Sequence, residues 1–172
     1  MIEIQVGKRT FPVRFDLGAW MEIDERFGGL DQMEADKTVK ARIACLAIFA
    51  RAGARYCGGE APTEEYLTKN LSPKALAQAN RQASRAFVAG MKREMAEDDD
   101  EDIDVVAEKL KKKRSASLTA RRCASYALIA GVNWPEAERM APGLIMDLYL
   151  ARRAYDDDQH GIRRTRTGEW ED

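Results

Sequence analysis

The residues that could catalyse a reaction or bind a metal are few in this sequence. His160 is the only histidine, and it closely follows Asp156, Asp157 and Asp158. Imidazole beside carboxylates is a donor set that divalent metals use in proteins. A single histidine in so polar a tail is nevertheless more typical of an exposed side chain, and nothing near it resembles a nucleophile that it could activate. We therefore expect no catalytic residue and no metal site.

The cysteines and the glycines point to the same conclusion. Cys45, Cys57 and Cys123 are odd in number and lack the C-x-x-C spacing of zinc sites, so they are expected to be small buried thiols on helices. The phosphate-binding motifs G-x-x-x-x-G-K-S/T and G-x-G-x-x-G are absent. The sequence predicts a protein that is not an enzyme and that uses no cofactor.

The charge of the chain is balanced overall but segregated along its length. Its 172 residues include 28 Lys and Arg against 29 Asp and Glu, for a net charge of −1. Eight acidic and no basic residues lie between Glu94 and Asp104. Acidic runs of this kind repel themselves and stay solvated. We therefore predict an acidic linker at 96–104, which separates a domain over 1–95 from a C-terminal region over 105–172.

The basic segment 109–122 follows this linker and contains seven basic and no acidic residues. Such a segment could neutralise phosphates, and Tyr126 just after it could stack on a base, but the segment itself contains no aromatic residue. Nucleic acid is therefore not the expected partner. No apolar run approaches the ~20 residues of a membrane span, and the first residues lack the features of a signal peptide. A cytoplasmic location is expected, without a membrane contact.

The N-terminal residues show the alternation of a β-hairpin. Apolar and polar residues alternate over 2–6 and again over 11–15, with a turn at Gly7 between the two runs. Pro12 places the second strand at an edge or turns its backbone nitrogen toward solvent. Because an isolated hairpin is marginally stable, it must pack on other elements or pair with another chain.

The patterns after residue 16 are helical. Asp16 is suited to the N-cap of a first helix over 17–27, and the most apolar helix, over 36–56, is expected at the centre of the core. Further helical patterns cover about 62–70, 73–95, 105–110, 118–130, 134–140 and the residues from 142 onward. The predicted fold class is mainly α: an N-terminal β-hairpin followed by a helical bundle, with a smaller helical C-terminal part and a frayed tail.

Two segments carry a resemblance to a known family. The first, VRFDLGAWMEIDERFG from Val13 to Gly28, is a strand followed by a helix with an acidic centre and a Phe-Gly end. The second, GVNWPEAERMAPGL from Gly131 to Leu144, is a short helix followed by a proline turn into a last helix. Both resemble the corresponding parts of the tail assembly chaperones of long-tailed bacteriophages and of gene transfer agents. Leu144 stands where that family often has glutamate.

The resemblance implies a role without catalysis. Such chaperones bind the long tape-measure protein, keep it soluble and help to recruit tail-tube subunits, so tape-measure and tail-tube proteins are the implied partners, in the cytoplasm of the host cell. Self-association of the chain is left open. Many members also occur in a frameshifted long form. The lysines 111–113 lie where a second domain would begin, although an ordinary basic helix start explains them more simply.

Four aromatic residues are expected at core or groove positions and are the candidate partner-binding residues. They are Trp20, Phe27, Trp134 and Tyr149. An alternative hypothesis is another phage morphogenesis protein, a head-tail adaptor or a small DNA-packaging subunit, that contacts DNA through the basic segment 109–122.

Overall fold

The computed structural model of the protein describes residues 1–94 and 118–159. In chain order, the elements are β1 (Ile2–Val6), β2 (Arg9–Val13), α1 (Leu17–Phe27), α2 (Leu30–Ala35), α3 (Val39–Cys57), α4 (Glu64–Asn70), α5 (Pro73–Met91), α6 (Ala120–Ile129), α7 (Trp134–Ala137) and α8 (Pro142–Gln159). The predicted fold class is confirmed, since a hairpin is followed by helices and by a smaller C-terminal helical part.

Several sequence predictions fall outside the described residues. These are the acidic linker 96–104, the helix over 105–110, the lysines 111–113, and His160 with the tail that follows it. Within the described residues, no helix combines the length and the apolar character that crossing a membrane requires.

The hairpin forms as its alternation predicts. The two strands pair antiparallel, from Ile2 opposite Val13 to Val6 opposite Arg9, and the turn between them contains Gly7 at φ 61°. A two-residue turn of this kind needs positive φ and therefore favours glycine. One face of the hairpin is buried by α3 and α5, which supply the support that an isolated hairpin lacks.

The helices begin at the residues whose side chains can cap them. Asp16, Thr63 and Ser72 each accept a hydrogen bond from the backbone N–H three residues further on, and this satisfies a donor that has no partner within the helix. The helix predicted over 36–56 is α3, which begins at Val39 with Thr38 as its N-cap. The short helix α2, which precedes it, is not among the predicted helices. A six-residue helix is too short to show a clear apolar period.

Helix α3 lies at the centre of the core, as expected. Every residue from 46 to 50 is buried, which requires that neighbours cover the helix on several sides. Phe15 is fully buried beside it, with ring centroids 5.5 Å from Phe49 and 4.8 Å from Phe87. The aromatic cluster therefore joins the end of the hairpin to both α3 and α5.

The helices after residue 118 share this core. The backbone N–H of Leu17 donates to the carbonyl of Met140 (3.0 Å), and that of Gly18 donates to the carbonyl of Glu138 (2.9 Å). The first turn of α1 is thus completed by carbonyls from the end of α7. The buried Asp147 of α8 accepts from Arg93 Nε at 2.8 Å and from the backbone N–H of residue 94 at 2.7 Å. The C-terminal helices are therefore attached to residues 1–94 at two places, the start of α1 and the residues 93–94 that follow α5.

Gly53 sets how closely α3 approaches β2. A Cβ at this position would lie 2.2 Å from the carbonyl oxygen of Pro12. We expect Gly53→Ala to lower the free energy of unfolding by about 1–3 kcal/mol through overpacking, although alanine would otherwise favour the helix by about 1 kcal/mol. Urea unfolding measures the change. Gly59→Ala is the control, because nothing lies within 4 Å of its added Cβ. A Gly53→Ala protein as stable as the wild type would contradict this close contact.

Candidate partner-binding grooves

Metal ligands and thiols are the first groups to consider among the described residues. No group of three His, Cys, Asp or Glu in this part of the chain could hold a metal ion. Burial raises the pKa of the Cys45 thiol to about 11 and that of Cys123 to about 12, whereas a reactive cysteine needs a lowered pKa. Cys57 differs from the expected buried thiol, because it ends α3 at the surface and is exposed.

An open apolar groove of about 560 Å³ runs between α2 and α3 on one side and α5 on the other. We refer to it as the α3–α5 groove. Its apolar lining includes Leu30, Met33, Cys45, Phe49, Phe87 and Val88. Its rim is polar and includes Glu34, Lys37, Arg42, Asn80 and Ser84. Apolar grooves with polar rims accept the apolar face of an amphipathic helix.

The exposed valine and the sulfur-containing side chains of this groove make it apolar and adaptable. Val88 is 65% exposed, so its isopropyl group faces solvent at the groove. Met33 Sδ lies 3.6 Å from Cys45 Sγ, and sulfur-containing side chains are polarisable and adapt to different surfaces. The groove can therefore accept apolar side chains of varied shape.

A second groove, of about 480 Å³, lies along the outer edge of β1. We refer to it as the β1 edge groove. Its lining comes from the hairpin, from Asn70 and from α5: Glu3, Ile4, Gln5, Gly7, Thr10, Asn70, Ala75, Gln78, Ala79 and Gln82. The outer edge of β2, by contrast, is covered by α3, since Pro12 lies against Gly53 and the N–H of Arg14 donates to the Phe49 carbonyl at 3.1 Å. An accessible strand edge can pair with an added strand.

A network of ion pairs fixes α1 against α3, away from both grooves. Arg55 donates to Asp16 Oδ1 at 3.1 Å and to Glu22 Oε1 at 2.8 Å, and Arg51 donates to Glu22 Oε2 at 2.6 Å. Asp16 is fully buried. Burial raises its pKa, although the hydrogen bond from the Ala19 N–H and the charge of Arg55 act in the opposite direction. The network holds two helices together and offers no reactive group.

The four aromatic residues singled out from the sequence lie in different places. Trp20 is 1% exposed and belongs to the core, and Phe27 is half-buried against the core. Trp134 is 41% exposed at the start of α7. Tyr149 is half-buried and stacks on Tyr126, with 4.2 Å between ring centroids. None of the four lines either groove.

The residues that line the α3–α5 groove were not identified from the sequence as candidate binding residues. Met33 belongs to α2, which is too short to show a period. Phe87 and Val88 are adjacent large apolar residues on a helix whose buried face is mostly alanine. Two adjacent residues point in different directions from a helix, so Phe87 and Val88 make the apolar stripe wider than one buried face needs. This extra width was the sequence signal for an exposed apolar surface.

The basic segment 109–122 is described only from residue 118. Arg121 and Arg122 are exposed on the first turn of α6. The remaining basic residues of the segment lie outside the described part of the chain.

Comparisons with protein-family models, with curated proteins and with solved structures found no match for this chain. The structure brings segments 13–28 and 131–144 into contact. The hydrogen bonds from Leu17 and Gly18 to the carbonyls of Met140 and Glu138 join them directly.

Asp16 is expected to make stability depend on pH. Because its pKa is raised in the folded protein, the folded state holds this proton more tightly than the unfolded chain does. The contribution of Asp16 to stability therefore falls as the pH rises from about 4 through the raised pKa. Asp16→Asn keeps an oxygen that can accept from Ala19 but does not titrate. We expect the stability of Asp16→Asn relative to the wild type to increase from pH ~4 to ~7.

Urea unfolding of both proteins across this pH range measures the difference. Asp31→Asn, which removes an exposed carboxylate from α2, controls for the change in net charge. A relative stability of Asp16→Asn that decreases with pH would mean that Arg55 outweighs burial and lowers the pKa of Asp16.

Proposed function

We propose that this protein is a phage tail assembly chaperone. In this role it binds the tape-measure protein in the host cell, keeps it soluble and helps to recruit tail-tube subunits, without catalysis. The α3–α5 groove is the observation that carries the proposal, because it exposes apolar side chains on a chain in which 33% of the residues are charged. The resemblance of 13–28 and 131–144 to this family supports the same role.

The groove suits a long helical client. In the family that the chain resembles, the tape-measure protein exposes apolar helical stripes before the tail assembles. An apolar stripe laid against Phe87, Val88 and Met33 would be removed from water, at roughly 25 cal/mol for each Å² buried. The polar rim, with Glu34 and Arg42, leaves the polar face of such a helix in contact with solvent and with charged side chains. Binding of this kind is reversible, as a chaperone that leaves the finished tail requires.

In this proposal, tail-tube subunits bind a separate surface. Leu128, Ile129 and Trp134 are all exposed and follow one another around the turn from α6 to α7. Exposed apolar side chains grouped in this way are typical of protein-binding surfaces. None of them lines the α3–α5 groove, so tape-measure and tail-tube proteins could be held at the same time.

Val88→Asp tests the groove. We expect this variant to fold, since Val88 is 65% exposed, and to lose most of its ability to keep the tape-measure protein soluble, since a carboxylate would be desolvated in the complex. The measurement is the soluble fraction of a phage tape-measure protein on co-expression with each variant.

Val39→Asp is the matched control. Val39 is a valine of similar exposure, 60%, at the first position of α3 and outside the groove lining. Val39→Asp should keep the tape-measure protein as soluble as the wild type does. Equal solubility of the tape-measure protein with wild type, with Val88→Asp and without the chaperone would remove the basis of the proposed function.

Trp134→Ala tests the second surface. We expect it to retain the tape-measure protein in solution but to pull down tail-tube subunits at least several-fold less efficiently, because aromatic side chains contribute strongly to interfaces. Affinity capture of both partners from one co-expression provides the comparison. Parallel loss of both partners would indicate one shared surface or a folding defect, and circular dichroism separates these two outcomes.

A further inference from the structure

The outward face of α5 is basic, and its cations have no ion-pair partner among residues 1–94 and 118–159. Lys74, Arg81 and Arg85 are exposed, and they line a shallow groove of about 320 Å³ with Gln78 and Gln82. Their spacing of seven and four residues places them on one side of the helix. Helix α5 contains no acidic residue. Within residues 1–94 and 118–159, no carboxylate oxygen lies within 4.0 Å of these three cations.

The edge of β1 beside this face offers unpaired backbone groups. The two-residue turn makes Val6 and Arg9 a hydrogen-bonded pair. From there, pairs with and without mutual hydrogen bonds alternate along the two strands. Glu3 then lies opposite Pro12 in a pair without mutual hydrogen bonds, which agrees with the missing N–H of proline. The backbone N–H and C=O groups of Glu3 and Gln5 consequently point away from β2, into the β1 edge groove.

These two features are contiguous. Gln78 and Gln82 line both the β1 edge groove and the basic groove of α5. Among the residues that line the two grooves, Glu3 is the one acidic side chain against three basic ones. A ligand that occupies both grooves therefore meets a strand edge on one side and a positive surface on the other.

We propose that this surface binds an extended acidic segment of a partner protein by strand addition. The backbone of the segment pairs with Glu3 and Gln5, and its side chains alternate between two faces. Acidic residues at every second position then face α5, where they meet Lys74, Arg81 and Arg85. The surface lies apart from the residues of the α3–α5 groove, so this binding does not depend on the proposed tape-measure site.

An acidic polypeptide fits this surface better than nucleic acid does. No aromatic side chain lines either groove, whereas single-stranded nucleic acids are usually held by stacking of bases on aromatic rings. The strand edge also supplies alternating donors and acceptors at the spacing of a polypeptide backbone.

The test uses the full chain and three labelled octapeptides. One alternates Thr and Glu, one has the same composition with four Glu followed by four Thr, and one alternates Thr and Lys. We expect the alternating Thr–Glu peptide to bind most tightly by fluorescence polarisation, and the Thr–Lys peptide not to bind. Arg81→Glu with Arg85→Glu should weaken binding on the order of tenfold, as two reversed charge contacts would. The control, Arg121→Glu with Arg153→Glu, reverses two charges on α6 and α8 and should leave peptide binding unchanged.

Amide hydrogen exchange tests the strand pairing itself. The N–H groups of Glu3 and Gln5 should become protected when the alternating peptide binds, whereas that of Arg9, already paired with Val6, should change little. Peptide binding without protection of Glu3 and Gln5 would overturn strand addition, as would equal binding of the two Thr–Glu peptides. Tighter binding of labelled oligothymidylate than of any peptide would overturn the choice of an acidic polypeptide.

Discussion

The first turn of α1 is the point on which the rest of the structure depends. A helix that begins inside a protein exposes backbone N–H groups that must find acceptors. Here the Asp16 side chain accepts from Ala19 at 2.7 Å, and the carbonyls of Glu138 and Met140 accept from the two residues after Asp16. Because these acceptors come from opposite ends of the sequence, completing one helix terminus joins the N-terminal and C-terminal parts. Gly18 permits this approach, since a Cβ there would lie 2.8 Å from the side chains of Arg55 and Glu138.

Helix α5 packs so that several of its surfaces stay open to solvent. Helices α3 and α5 pack on the hairpin and on each other, and small residues bring the backbones close. A Cβ on Gly90 would lie 2.5 Å from the Phe15 carbonyl oxygen. Helix α5 then contributes to three surfaces, with Phe87 and Val88 toward α3, Gln78 beside β1, and the three cations outward. One alanine-rich helix thus offers both an apolar groove and a basic face.

The sequence predicted the parts of the fold that local patterns determine. The alternation over 2–6 identified a strand, the caps at Asp16 and Ser72 identified helix starts, and the long apolar run identified α3. The grooves could not be predicted in this way, because they depend on how α5 crosses the hairpin and α3. The tight contact at Gly53 is of the same kind, since a glycine within a helical pattern does not reveal the carbonyl against which it packs. Trp20 shows the opposite error: it was a candidate binding residue from the sequence, but it is buried in the core.

The most direct test of the α3–α5 groove is photo-crosslinking from Val88. The chain with a photoreactive amino acid at this position, or at Val39 as reference, would be co-expressed with a phage tape-measure protein, and the adducts mapped by mass spectrometry. If the groove holds a client helix, crosslinks from position 88 fall on tape-measure residues spaced three or four apart, on one helical face, and those from position 39 are sparse. Equal crosslinking from both positions, or adducts without helical spacing, would contradict binding in the groove.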